Sequence, residues 1–153
     1  SAFSSGTTMS NWIFYSGNVK IVTLAGTGTR QVVADASGNL SAGAVQPKKY
    51  VALLSQSGTS APTATVLQNT TGATVTWTRN AAGNFYGTLS SGVFTANKTH
   101  RLGTLGYTGT SNSTIELESN GTTLLGLITK IGGVQTDGVM SNGGTSILIE
   151  IYP

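Results

Sequence analysis

Along most of this chain apolar residues recur at every second position, and no stretch places them at i, i+3, i+4 and i+7. In 74-TVTWT-78, Val75 and Trp77 share one face and three threonines the other. In 145-TSILIEIYP-153, Ile147, Ile149 and Ile151 lie opposite Leu148, Glu150 and Tyr152. A period of two puts alternate side chains on opposite faces of a pleated strand, so the pattern predicts an all-β fold. Composition agrees: Gly (21), Ser (17) and Thr (25) fill 63 of the 153 positions, and all three are poor helix formers, whereas Thr, Val and Ile suit strands. Charged residues are only 8% of the chain, but apolar residues make up 38% in short, regular runs, which is enough to drive folding.

The alternation predicts strands at 12–16, 19–24, 30–35, 49–56, 63–68, 74–78, 84–89, 113–119, 122–130 and 145–153, separated by turns at 16–18, 37–39, 70–72, 81–84, 90–92, 119–121 and 141–144. The best boundary is 43-GAVQPKKY-50. Residues 1–47 read as a β connector too small to bury its own apolar faces, and 48–153 as an antiparallel β-sandwich or jelly-roll-like head of seven or eight strands. The apolar strand 147–152 is expected near the centre of a sheet, beside 50–55, with Trp77 and Phe85 in the core. The N-terminal stretch lacks the pattern of a secretory signal, and no apolar run reaches the length that spans a bilayer.

Chemistry is hard to place. The eight basic residues are scattered, so no nucleic-acid stripe is visible. The glycine-rich 26-GTGTR-30 has neither the Lys-Ser/Thr of a phosphate loop nor a helix behind it. The run 35-DASGN-39 imitates the first half of a calcium loop, but the sixth and twelfth positions hold Leu40 and Gln46. It reads instead as a turn capped by Asp35 or Ser37, with positive φ at Gly38 and Asn39. His100 has no carboxylate within fifteen residues in sequence. Glu116 and Glu118 point the same way along one strand, roughly 7 Å apart, and cannot face each other across a substrate. Neither catalytic residues nor a metal or cofactor is expected. The polar loop 103–112 on a rigid scaffold is the expected recognition surface, with Tyr107, Thr108, Asn112, His100 and Arg101 as its contacts. Arg30 and Asp35 are expected to bracket one strand and set its register within or between chains.

The phrase 22-VTLAGTGTRQVVADASGNLSAG-43, the module beginning KKYVALLSQSGTSAPTATVLQN and the ending ILIEIYP resemble fibre or spike proteins of phages infecting Bacteroidetes, over most of the chain. The resemblance implies a non-enzymatic virion protein, assembled in the host cytoplasm and displayed outside the cell. It implies a homotrimer that contacts other virion proteins through its N-terminal segment and a host surface glycan or protein through its head. It offers no catalytic residue to transfer. A capsid decoration or vertex protein and a carbohydrate-binding module are the alternatives.

Overall fold

The computed structural model describes residues 31–106, 112–141 and 144–153. By its internal contacts the chain forms two compact units, Ser1–Ala44 and Val45–Pro153. Every described strand pair is antiparallel. No helix among the described residues is long and apolar enough to cross a membrane.

In the first unit, β1 (Val32–Ala34) and β2 (Leu40–Ala42) form a hairpin, with Val32 opposite Ala42 and Ala34 opposite Leu40. Asp35 builds the turn: one carboxylate oxygen accepts from the amides of Ser37 (2.9 Å) and Asn39 (2.8 Å), and the other from the Asn39 side-chain amide (2.8 Å). These donors, led by the Asn39 side chain, hold the Asp35 carboxyl below its usual range. The expected turn is therefore present with Asp35 as its cap, but only Gly38 takes positive φ (82°); Asn39 does not. Arg30 lies outside the described residues, as do the strands expected at 12–16 and 19–24.

The second unit is a β-sandwich. One sheet has the order β4-β3-β11-β7, from β3 (Lys48–Ser55), β4 (Thr63–Asn69), β7 (Thr99–Thr104) and β11 (Thr145–Ile151). The other contains β5 (Val75–Ala81), β6 (Asn84–Leu89), β8 (Ser113–Asn120), β9 (Leu124–Ile131) and the short β10 (Val134–Gln135). There β6 joins β5 to β9, and β9 also pairs with β8 and β10. Two of the nine described strands of this unit, β7 and β10, were not anticipated by the alternation.

The facing sides of the sheets supply the core: Tyr50, Ala52 and Leu54 of β3 and Ile147, Ile149 and Ile151 of β11 meet Trp77, Phe85, Leu89, Leu125 and Leu127. Ile147 pairs with Ala52 and Ile149 with Tyr50, so the last strand is interior to its sheet and lies beside β3, as its unbroken apolar character requires. Burial pushes the Tyr50 phenol up, with the nearby Trp77 indole acting in the opposite direction.

Turn chemistry sets the register. Gly132 (φ 57°) and Gly133 (φ 85°) close the two-residue β9–β10 hairpin, a geometry that requires positive φ at both positions. A bulge between Val51 and Ala52 kinks the pairing with β4, an outer strand of its sheet, uncharged along its length and exposing Val66 and Leu67.

Candidate functional site: an arginine-bearing cleft at the β7–β8 edge

β7 inverts the usual rule. Its outward positions carry His100 and Leu102, the latter 51% exposed, while Thr99, Arg101 and Gly103 occupy the half-buried positions. A β-carbon on Gly103 would meet Leu117 and Ile115 of β8 at 3.2–3.4 Å, so this face of β7 is turned toward the other sheet. Arg101 shares that face and donates from Nη1 to Ser119 Oγ of β8 at 2.5 Å. Both strands are outer strands of their sheets, so the sandwich is open here and an arginine can sit between its layers.

The opening is a cleft of about 520 Å³ lined by Arg101 and Ser119 together with Phe94, Thr95, Asn97, Thr99 and Thr122. Its walls are tied to each other. The amides of Val93 and Phe94 both donate to the Thr122 carbonyl (2.9 and 3.1 Å), joining the β6–β7 loop to the β8–β9 turn. Thr99 Oγ1 donates to the Thr95 carbonyl at 3.1 Å. Asn97 stands between them at φ 60°, a left-handed conformation that asparagine tolerates better than most residues. Such a cleft is held open before any ligand arrives, and its size matches ordinary small-molecule sites.

The outer face of the same sheet carries a separate charge ladder. Glu150 of β11 is directly opposite Lys49 of β3 on one side and His100 of β7 on the other. Its Oε1 lies 2.8 Å from Lys49 Nζ, and its Oε2 accepts from Tyr152 OH at 3.0 Å and lies 3.8 Å from His100 Nδ1. The Lys49 hydrogen bond, followed by that of Tyr152, holds the Glu150 carboxyl below its usual range. The fold thus supplies His100 with the carboxylate partner that its sequence neighbourhood lacks. Cross-strand pairs of this kind on a solvated face fix register and add little to stability.

A third polar cluster ties the β5–β6 hairpin to the segment that follows β10. Asp137 accepts from Arg79 Nε and Nη2, the latter at 2.7 Å, and from the Gly83 amide at 3.0 Å. The Arg79 guanidinium, aided by the Gly83 amide and opposed by partial burial, keeps the Asp137 carboxyl below its usual range. Gly83 (φ 61°) is packed so closely that a β-carbon there would lie 2.3 Å from the Thr136 nitrogen and 2.5 Å from the Thr129 oxygen.

The structure separates residues that the sequence grouped together. Arg101 lines the cleft, but His100, its neighbour, faces the opposite side of the sheet because successive strand residues alternate. Asn112 adopts φ 61° and its carbonyl accepts from the Gly132 amide, at the other end of β8 from Ser119. It is a turn residue, remote from the cleft. Tyr107 and Thr108 lie outside the described residues. Glu116 pairs with Lys130 at 2.7 Å on the solvated face of β8. Among the described residues no group of three or more His, Asp or Glu is placed to hold a metal ion. Ser119, Thr122, Thr95, Thr99 and Asn97 were not singled out in the sequence, where hydroxyl and amide residues are too common to mark a site. Arg101 is the one lining residue of the cleft that the sequence reading named, as a loop contact; its half-buried position on a strand comes from the fold. Comparison with protein-family models, with curated proteins and with solved structures finds no match to this chain.

Proposed function

We propose that the chain is a non-enzymatic structural protein of a phage virion, a fibre or spike subunit. In this reading it forms a homotrimer, its N-terminal segment assembles with sister chains and other virion proteins, and its C-terminal sandwich is a binding head for the host surface. The observation that carries the reading is the β1–β2 hairpin, which leaves Val32 (53% exposed), Val33 (39%) and Leu40 (52%) in solvent with every residue of both strands exposed. A two-stranded hairpin is marginal alone, and apolar side chains on both of its strands favour pairing with further copies. The second unit supports the other half of the reading: a rigid sandwich with a preformed polar cleft at one edge is a scaffold for recognition.

Multi-angle light scattering of the purified chain at micromolar concentration tests the assembly. A trimer is expected, and a single monomeric species overturns it. Labelled protein applied to host cells tests the head: saturable adsorption is expected, and its absence removes the receptor-binding role.

A further inference from the structure

We propose that the Arg101 cleft binds the carboxylate of an acidic sugar, so that the surface ligand of the head is a glycan bearing a uronic or sialic acid. The inference rests on the reading of the second unit as a binding head and names what that head holds.

The argument begins with charge. The chain has five Asp and Glu residues. Asp35 caps its own turn, Glu116 pairs with Lys130, Asp137 with Arg79, and Glu150 with Lys49. Glu118 lies on the exposed face of β8 against Gly126, the face turned away from Ser119 and the cleft. Arg101 therefore forms no ion pair among the described residues; its described partner is the neutral hydroxyl of Ser119. A half-buried guanidinium has lost part of its hydration, and its planar fork is shaped to receive a carboxylate through two parallel hydrogen bonds.

The surroundings narrow the ligand. Among the described residues lining the cleft, Arg101 is the one that carries a charge, which matches a monoanion better than a phosphate carrying close to two charges. Thr95, Thr99, Ser119, Thr122 and the Asn97 amide supply hydroxyl and amide groups around it, the chemistry that sugar hydroxyls exchange hydrogen bonds with. A volume of about 520 Å³ accommodates a sugar ring with its substituents. The walls, tied through Thr122 and fixed at Asn97, do not need to be ordered on binding, which lowers its entropic cost.

Saturation-transfer NMR on the purified chain provides the test, with glucuronic acid and N-acetylneuraminic acid as probes and glucose and glucuronamide as their neutral counterparts. Signal transfer is expected from at least one acid and not from the neutral sugars, weakened at least tenfold in Arg101→Gln and also in Arg101→Lys, which keeps the charge but loses the fork. Transfer from neither acid, equal transfer from acids and neutral sugars, or transfer unchanged by both substitutions overturns the proposal. So does equal displacement of the acid by inorganic phosphate, which would leave only a general anion site. The comparison within the parent chain needs no variant, so it stands even if a substituted protein misfolds. Cell adsorption separates the two levels of inference. Adsorption that persists without competition from either acid overturns the acidic-sugar site and leaves the head reading intact, whereas a parent chain that does not adsorb removes the head reading itself.

Discussion

Two arginines in the sandwich have opposite fates. Arg79 is clamped by Asp137, which also takes the Gly83 amide, so a cation, a carboxylate and a tight turn satisfy one another. Arg101 sits between the layers with a serine hydroxyl as its described partner and an open cleft beside it. Side chains with the same charge are thus used once to close the fold and once to leave it open. The difference shows how a protein with few charges distributes them: one arginine is neutralised by a carboxylate, and the other, with no ion pair among the described residues, keeps bonding capacity for something else.

Substitutions should widen or collapse this contrast. Gly83→Ala attacks the closed cluster at its tightest point, since the new methyl group would overlap the Thr136 and Thr129 backbone and force a side chain into positive φ. A loss on the order of 4 kcal/mol is expected in denaturant unfolding, and a change below about 1 kcal/mol would show the turn to be far more pliable than its packing. Asp137→Ala comes next. It leaves the Gly83 amide and the Arg79 guanidinium without their acceptor, at a cost of about 1–3 kcal/mol by the same measurement. Acid should reproduce part of that loss. Because the folded Asp137 carboxyl titrates below its ordinary value of 3.8, its contribution is complete above that pH and disappears as the pH falls from there through the folded value. Melting temperature followed from pH 7 to pH 2 should therefore drop less steeply at its acid end in Asp137→Asn. Arg101→Gln is expected to move the melting temperature little while weakening the acidic-sugar response at least tenfold, and a large destabilisation would make Arg101 a second structural arginine and erase the contrast. The smallest effect belongs to Glu150→Gln. The exposed ladder loses its contribution in the same direction, as the pH falls below the usual Glu value of 4.5, and only a slight flattening of the acid limb is expected.

Where apolar residues face the core, the sequence was readable. Ile147, Ile149 and Ile151 announced an interior strand, and their pairing with β3 follows because β3 carries the matching run from Tyr50 to Leu54. Trp77 and Phe85 declared themselves in the same way. β7 stayed hidden because its alternation is reversed: Leu102 faces solvent, whereas the positions facing the other sheet are Thr99, Arg101 and Gly103. Read by hydrophobicity alone, the segment looks like a polar loop, and the cleft it lines could not be assembled. His100 and Glu150 are fifty positions apart in the chain and meet only through the β7–β11 register. Val45 and Gln46, although they precede the first core strand, group by their contacts with the second unit.

The neighbouring positions of β3 and β11 also govern how the sandwich would respond to tension. Lys48, at the start of one strand, pairs with Ile151, at the end of the other, so handles attached at these two points would pull on the same rung of an antiparallel ladder. Force applied there opens hydrogen bonds one after another, as a zipper does, instead of loading the whole pair in shear. The sandwich should be mechanically soft along that axis however stable it is to heat, and single-molecule stretching between Lys48 and Ile151 would register it as a low unfolding force.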